Sequence, residues 1–455
     1  MKTFSRLILF LSLIALTSSV FATVKPNGLF SDNAVLQRDM IVPVWGTAND
    51  GELVTVSIQG QKVSTRAVGG HWLVRLRPLK AGGPYTMRIN DIEIKNILVG
   101  EVWLASGQSN MRWSVKQSEE PEKNIAECRD AQLRLYSVPR SDRFQELPAA
   151  WQECTPESVP DFSAVAYFFG RELRKTLGVP VGLIQSAVGG TPAEAWTSRS
   201  FLLADADLRT LVENPVTRVS YLYNGMIAPL QPYAIRGVIW YQGESNAGRA
   251  YRYRRLFPAM IRNWRQAWGQ GDFPFLFVQL APFGQNGDDD KWPELREAQV
   301  LTALTVPKTA MVVITDYGDC TNIHPKPKEP VGKRLALAAR AVAYGENITY
   351  SGPIYKHMTI SGNRVILSFD HVGSGLMAKG SELKGFTIAG PDRKFVPAKA
   401  MVQDDKVVVW SDDVDTPTAV RYGWSNCPDV NLFNKEGLPA SPFRTDDWPL
   451  ITQTQ

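Results

Sequence analysis

Apolar and polar residues alternate in two different ways along the chain. Residues 23–97 show a period of two, typical of half-buried strands, and glycines separate the alternating stretches. Between about 98 and 348, short continuous apolar runs alternate with amphipathic stretches of helical period. From 349 to 455 the short alternating stretches return. This pattern predicts an α/β protein whose central domain, 98–348, is flanked by two β-rich domains at 23–97 and 349–455.

The continuous apolar runs predict a mostly parallel central sheet, because strands buried on both faces have this composition. The runs are 99–105, 181–186, 235–241, 275–281 and 310–314. The stretches predicted to form helices between or after them are 164–177, 256–268, about 293–304 and 330–343. Residues that follow the strands would share the carboxyl edge of the sheet, where ligands bind in open α/β folds.

The first 22 residues have the features of a secretory leader. Lys2 and Arg6 precede an apolar run at 7–16, and small residues follow within 20–22. The run is shorter than the about 20 residues that span a bilayer, which disfavours the alternative of a retained membrane anchor. We therefore expect a signal peptide at 1–22, export to a periplasm or out of the cell, and no stable membrane association of the mature chain.

Charge and cysteine content narrow the possible partners. The formal net charge of +5 over 455 residues is small, which argues against nucleic acid or an anionic membrane as a partner. Four cysteines (Cys128, Cys154, Cys320 and Cys427) allow one or two disulfides in an oxidising compartment. Three full pairings are open, and Cys128 with Cys154 is the most local pair. No ligand spacing predicts a metal site.

Ser109 follows the apolar run at 99–105, within the segment SGQSNM at 106–111. The small residues allow a sharp turn after the strand, and a serine on such a turn can present its hydroxyl to a cleft. Its own N–H can then stabilise an oxyanion. Ser109 is therefore a candidate nucleophile. The alternative is an ordinary Gly-Ser turn, since so short a motif also occurs by chance.

His324 is the candidate base among four histidines. The other three lie in or beside the β-rich regions, whereas His324 follows the run at 310–314 and precedes the helical stretch at 330–343. This position predicts that His324 and Ser109 meet at the same edge of the sheet. The alternative is a solvated loop histidine.

Two further turns at this edge carry possible oxyanion donors. Gly189 and Gly190 follow the run at 181–186, and Gln242 follows the run at 235–241. Backbone and side-chain amides are the donors that acyl-transfer enzymes use to hold a developing oxyanion. We expect an oxyanion hole formed by the N–H groups of Ser109 and Gly190 (or Gly189) and by the Gln242 amide.

Taken together, these segments resemble the sialate O-acetylesterase family, a branch of the SGNH-type esterases. The resemblance rests on SGQSNM at 106–111, GGT at 189–191, WYQGESN at 240–246 and IHP at 323–325. It extends over nearly the whole mature chain through LFSDNAVLQR at 29–38, YNGMIAP at 223–229, WPELREAQ at 292–299, RYGW at 421–424 and NLFN at 431–434.

The resemblance implies an αβα sandwich with a mostly parallel sheet, joined to β-sandwich-like flanking regions. It implies removal of O-acetyl groups from sialic acids through an acetyl-enzyme, without a cofactor. Ser109 is then the nucleophile and His324 the general base. Glu244 and Asn246 are expected to support the turn that carries Gln242.

One departure from the wider superfamily concerns the acid that orients the imidazole. Many of its members have Asp three residues before the histidine, where this chain has Thr321. Asp319 is the favoured replacement, with Asp316 and the backbone carbonyl of Asn322 as alternatives, because the imidazole needs an acceptor at Nδ1 to take the serine proton.

Three other functions are compatible with parts of the sequence. The closest is the same chemistry on another acetylated glycan, such as xylan or pectin, because specificity depends on variable loops. A glycoside hydrolase could use Glu244 with Asp316 or Asp319. A non-catalytic carbohydrate-binding protein would account for the β-rich regions and the 13 tryptophans.

Overall fold

The computed structural model describes residues 24–287 and 291–454. The signal peptide expected at 1–22 lies outside the described residues. Within the described ranges, no helix has both the length and the apolar composition needed to cross a membrane.

The N-terminal region consists of short strands with alternating burial, as the period of two predicts. They are β1 (Lys25–Pro26), β2 (Val35–Gln37), β3 (Val42–Thr47), β4 (Leu53–Ile58), β5 (Gln61–Arg66), β6 (His71–Leu76) and β7 (Gly82–Ile89). β1, β3 and β6 form a small antiparallel sheet. The other four strands belong to the large sheet that continues into the centre of the molecule.

A single long strand, β8 (Ile92–Gly107), joins the N-terminal strands to the central sheet. Its first part pairs antiparallel with β7, and residues 101–107 run parallel to a central strand. The expected boundary between 97 and 98 therefore falls inside one strand and not in a linker. The sequence pattern changes there because the strand passes into a part of the sheet that is covered on both faces.

The remaining strands of the large sheet are β9 (Asp130–Ser137), β10 (Gln152–Cys154), β11 (Val181–Ala187), β12 (Gly237–Tyr241), β13 (Phe275–Val278) and β14 (Thr309–Val312). Their order is β10-β9-β11-β8-β12-β13-β14. Only β10 runs antiparallel to its neighbour in this series; the other pairs are parallel. The predicted α/β class is confirmed, with a large mixed sheet.

The α-helices are α1 (Ser109–Arg112), α2 (Pro121–Ala126), α3 (Ala164–Leu177), α4 (Arg199–Ala204), α5 (Ala206–Glu213), α6 (Ala250–Trp268), α7 (Trp292–Thr305) and α8 (Glu329–Val342). Short 3-10 helices occur at Val115–Gln117, Ala193–Trp196, Ala228–Leu230, Glu244–Arg249 and Ile451–Thr454, with a π-helical turn at Tyr223–Ile227.

Helices cover both faces of the central sheet, and alternate residues of its strands face opposite ways. Trp103 and Ala105 of β8 belong to the apolar core that includes α3 and α8. Val102 and Leu104 belong to the core on the other face, with α6 and α7. The carboxyl ends of the parallel strands are therefore left open between two layers of helices.

The C-terminal region has its own apolar core and three antiparallel sheets. Its strands are β15 (Ile354–Ser361), β16 (Arg364–Asp370), β17 (Leu376–Ala378), β18 (Phe386–Ala389), β19 (Phe395–Pro397), β20 (Lys399–Gln403), β21 (Lys406–Trp410), β22 (Ala419–Tyr422), β23 (Leu432–Asn434) and β24 (Phe443–Arg444).

All four cysteines form disulfides. Cys128 pairs with Cys154, the most local of the possible pairs, and Cys320 pairs with Cys427. The second disulfide attaches the loop after β14 to the C-terminal region across 107 residues of sequence.

Candidate active site

Ser109 lies where β8 ends and α1 begins, on a turn that requires glycine at position 107. Gly107 has a φ of +136°, and a Cβ atom there would lie 2.2 Å from the Tyr241 carbonyl oxygen. Only glycine allows this approach of two backbones in this conformation. The turn places Ser109 at the carboxyl edge of the sheet, as expected from the sequence.

The structure brings His324 to Ser109. The Ser109 Oγ and His324 Nε2 atoms lie 2.8 Å apart, although the two residues are 215 positions apart in sequence. His324 belongs to the loop between β14 and α8. β14 and β8 are separated in the sheet by β12 and β13, so the long loop after β14 spans this distance.

Several contacts hold the His324 loop in place. The imidazole stacks on the Trp113 ring, with ring centroids 4.7 Å apart and an interplanar angle of 16°. The His324 backbone N–H donates to Asn322 Oδ1 at 2.9 Å. Asn110 Nδ2 donates to the Ile323 carbonyl at 2.9 Å, which joins the serine turn directly to the histidine loop.

The carboxylates expected to orient the imidazole are engaged elsewhere. Asp319 Oδ1 accepts hydrogen bonds from the Thr321 N–H and hydroxyl and from the Asn322 N–H, so it closes its own turn. These bonds from Thr321 lower the pKa of Asp319. Asp316 forms two 2.7 Å bonds with Arg334.

The expected hydrogen bond between Asp319 and His324 is therefore not formed. Among the described residues, neither a carboxylate nor the alternative acceptor, the Asn322 carbonyl, accepts a hydrogen bond from the imidazole. Stacking and the backbone contacts of its loop hold the ring instead.

The glycines of the turn after β11 lie beside the serine. A Cβ atom at Gly189 would lie 3.3 Å from the Cβ of Ser109. Gly190 has a φ of +70°, and a Cβ there would meet open space. Within the described part of the chain, the N–H groups of Ser109, Gly189 and Gly190 donate to no backbone acceptor outside regular elements. These amides are therefore not engaged by the backbone around them.

Gln242 does not have a free amide, contrary to expectation. Its side chain is fully buried, and its Nε2 donates to the Thr191 carbonyl at 3.2 Å and to Asn246 Oδ1 at 2.7 Å. Its Oε1 accepts from the Tyr253 hydroxyl at 3.0 Å. Both amide protons are used, because the side chain is directed into the protein, where each polar group needs a partner. Gln242 is therefore removed from the oxyanion-hole candidates.

Asn246 bonds to the Gln242 amide, whereas Glu244 bonds to the serine turn. Asn246 Nδ2 donates to Glu194 at 3.0 Å, and Asn246 Oδ1 also accepts from the Ala193 N–H at 2.9 Å. Glu244 Oε1 accepts from Asn110 Nδ2 at 2.7 Å. Burial raises the pKa of the Glu244 carboxyl.

Trp113, Asn110 and Lys328 were not identified from the sequence. Lys328 Nζ donates to Asn110 Oδ1 at 2.6 Å, and only 1% of the lysine is exposed. Burial lowers the pKa of Lys328 to about 7. Burial, followed by the charge of Lys328, also lowers the pKa of His324. The sequence does place a lysine four positions after the histidine, but it does not show that the side chain of this lysine points inwards.

Comparisons with known proteins identify the family of this chain. Residues 99–341 match the family of carbohydrate esterases described as sialic acid-specific acetylesterases. The sialate O-acetylesterases of Rattus norvegicus and Homo sapiens are each 32% identical to this chain, with alignments covering 88% and 91% of it and 90% and 91% of the relatives.

A solved structure gives the same result. A carbohydrate acetylesterase from Xanthomonas citri superposes with a TM-score of 0.87 at 45% sequence identity, covering 93% of this chain and all of that one. The chain is thus an esterase, and it belongs to the sialate O-acetylesterase family of carbohydrate esterases.

Proposed function

We propose that this protein removes O-acetyl groups from sialic acids through an acetyl-enzyme formed on Ser109. The 2.8 Å separation of Ser109 Oγ and His324 Nε2 carries this proposal. A base at this distance can take the hydroxyl proton as the oxygen attacks a carbonyl carbon.

The reaction has two halves. As Ser109 Oγ bonds to the acetyl carbon, its proton moves to His324 Nε2. The tetrahedral intermediate then breaks its bond to the sugar oxygen, which leaves as a hydroxyl with the proton from the imidazolium. Water, deprotonated by His324, attacks the acetyl-enzyme and releases acetate, and Ser109 regains its proton.

The backbone amides around Ser109 are the proposed oxyanion hole. The Ser109 N–H is one donor, and Gly190 or Gly189 supplies another. Loss of a single such donor costs about 2.7–4 kcal/mol in transition-state stabilisation. The proximity of Gly189 to the serine supports this role, since a Cβ added at Gly189 would lie 3.3 Å from Ser109 Cβ.

Sialic acid is the proposed substrate because the curated relatives that cover most of the chain are sialate O-acetylesterases. The Xanthomonas citri neighbour is described as a carbohydrate acetylesterase, which keeps another acetylated glycan as the second candidate. A glycoside hydrolase is disfavoured, because Asp316 is paired with Arg334 and Glu244 is hydrogen-bonded to Asn110 beneath the serine turn.

We further propose that the chain has three parts, that its core is an SGNH-type domain, and that the protein is exported from the cytoplasm. Helices on both faces of a mainly parallel sheet support the first two. Two disulfides support export to a periplasm or out of the cell, because disulfides persist in oxidising compartments.

The test measures acetate released from O-acetylated N-acetylneuraminic acid and, separately, from acetylated xylan. We expect higher kcat/KM on the sialic acid and a loss of at least about 10³-fold in Ser109→Ala and His324→Ala.

Ser106→Ala is the matched control, since the buried Ser106 Oγ has no hydrogen-bond partner in the described structure. It should keep wild-type activity. Retained activity in Ser109→Ala would contradict the mechanism, whereas a preference for xylan would contradict only the substrate.

A further inference from the structure

Lys328 is a buried lysine beside the serine and histidine, and the mechanism above does not use it. Its Nζ makes one hydrogen bond in the described structure, to Asn110 Oδ1 at 2.6 Å. Within the described residues Lys328 forms no direct ion pair, although the charge of Glu244 interacts with it. Burying an ammonium group without a direct counter-ion is costly, and a chain of apolar atoms would fill the same space at lower cost.

We propose that Lys328 is a positioning residue that fixes the Asn110 amide between the serine turn and the histidine loop and keeps His324 unprotonated at Nε2. This inference rests on the proposed serine esterase function. Lys328 touches neither reacting atom, and it acts through Asn110 and through its charge.

The first part of the argument concerns the orientation of Asn110. The ammonium group of Lys328 can only donate, so it requires the oxygen of the amide to face it. The Asn110 Nδ2 group then faces two acceptors, Glu244 Oε1 at 2.7 Å and the Ile323 carbonyl at 2.9 Å. Asn110 follows Ser109 directly, and Ile323 precedes His324. One fixed amide therefore sets the separation of the nucleophile and the base.

The second part concerns charge. Lys328 Nζ lies 6.0 Å from the centre of the Trp113 ring, and His324 stacks on that same ring. A nearby positive charge disfavours the imidazolium, and the lowered pKa of His324 has the Lys328 charge as its second cause after burial. A neutral imidazole is the form that can accept the serine proton.

The other charged groups around the site do not oppose this effect directly. Glu244, on the turn at Glu244–Arg249, is the carboxylate that faces Lys328, and burial raises the pKa of Glu244. Asp319 on the histidine loop is bonded to its own turn, and Asp316 is paired with Arg334 of α8. The uncharged neighbours of His324 are Ser109 and Trp113. The Tyr241 ring is an uncharged neighbour of Lys328, 5.6 Å from its Nζ.

The experiment compares pH profiles of kcat/KM and kcat for p-nitrophenyl acetate in wild type, Lys328→Met, Lys328→Gln and Lys328→Arg. Lys328→Met and Lys328→Gln remove the charge, so the pKa of His324 should rise and the acid limb of kcat/KM should move to higher pH. Lys328→Arg keeps a positive charge and should keep the acid limb near its wild-type position. We also expect kcat on the alkaline plateau to fall at least about tenfold in Met, because the amide loses its anchor, and to fall less in Gln, which can still donate to Asn110.

Lys326→Met is the matched control. Lys326 lies two residues earlier on the same loop and is exposed, so its removal should leave both the acid limb and kcat unchanged. An unchanged acid limb in Lys328→Met and Lys328→Gln would overturn the proposal, even if Ser109→Ala is inactive. If Ser109→Ala is active, the serine mechanism fails first, and the two failures are distinguishable.

A measurement on the wild-type protein covers the case in which the Lys328 variants do not fold. The titration of His324 is followed by NMR, with the signal assigned by its loss in His324→Gln. A midpoint below the ordinary imidazole value of about 6.5 is the expected result, because burial and the Lys328 charge both lower the pKa of His324. A midpoint at or above that value overturns it.

Discussion

The imidazole of His324 lies flat against the indole of Trp113, with ring centroids 4.7 Å apart. Trp113 is the residue after α1, so the element that begins with the nucleophile ends beside the base. In the described part of the chain, no carboxylate bonds to the imidazole, and the indole is therefore the main side-chain support of this ring.

Replacing Trp113 should impair catalysis more than folding. Trp113→Ala removes the stacking surface, and aromatic pairs of this kind contribute about 0.5–1.5 kcal/mol. We expect kcat to fall about tenfold or more, because the imidazole gains rotational freedom. Trp113→Phe, the control, should retain most of the activity. Equal kcat in Trp113→Ala and wild type would show that the loop backbone alone holds the ring.

Asp319→Asn should reduce kcat less than tenfold. The asparagine retains the Oδ1 acceptor for the Thr321 and Asn322 N–H groups, and the wild-type carboxylate does not contact His324. The measurement is kcat for p-nitrophenyl acetate. A loss near the 10⁴-fold seen when a triad acid is neutralised would mean that Asp319 moves to His324 during the reaction.

Gly189→Ala should lower kcat with a small effect on stability. The added methyl group would lie 3.3 Å from Ser109 Cβ, which is tight, so that either the serine or the glycine backbone must shift. A shift of about 1 Å can cost about 10²-fold in rate. Gly248→Ala is the matched control, because a Cβ at Gly248 meets nothing within 4 Å. Similar kcat values for the two variants would show that the added methyl group does not displace Ser109.

The two disulfides should differ in their effect on activity. Replacing Cys320 and Cys427 by serine releases the histidine loop from the C-terminal region, so we expect lower kcat as well as lower thermal stability. Replacing Cys128 and Cys154 should lower the Tm without changing kcat at 25 °C, since neither residue lies in the turns that carry Ser109 and His324. Loss of a native disulfide typically costs about 2–5 kcal/mol.

The Cys320–Cys427 disulfide could also act on stability alone, and the same measurements would show this. If the variant lacking the Cys320–Cys427 disulfide keeps full kcat while its Tm falls, the disulfide stabilises the contact between the two regions and does not position the base. Thermal unfolding and kcat of both variants, measured in the same buffer, separate these cases.

The sequence predicted the positions of central strands better than it predicted the domain boundary. Five strands of the central sheet follow from their apolar runs, because burial on both faces leaves a strong local pattern; the run at 181–186 corresponds to β11 at Val181–Ala187. β9 was not predicted, since only four of its eight residues are buried, and neither was the short β10. The boundary expected at 97 does not coincide with a break, because β8 continues through it. A change of burial along one strand and a domain boundary produce the same change of pattern.

In the candidate site, too, some residues could be predicted from the sequence and others could not. Ser109 and His324 could be predicted because each follows a buried strand, and the carboxyl ends of parallel strands share one edge. Gln242 and Asp319 were assigned by residue type and position in a turn, yet both side chains satisfy neighbouring groups of their own turns. A sequence does not show which of several nearby partners a short polar side chain will bond.

The sequence by itself thus determined the α/β class, the approximate course of the strands and the two residues that meet at the carboxyl edge. Only the tertiary structure decided how the polar side chains around these two residues are oriented. It stacks His324 on Trp113, directs Gln242 to partners inside the protein and buries Lys328. Local patterns encode how much of an element is buried. The orientation of a polar side chain depends on partners far away in the sequence, because a buried donor or acceptor must be satisfied by whatever the fold brings next to it.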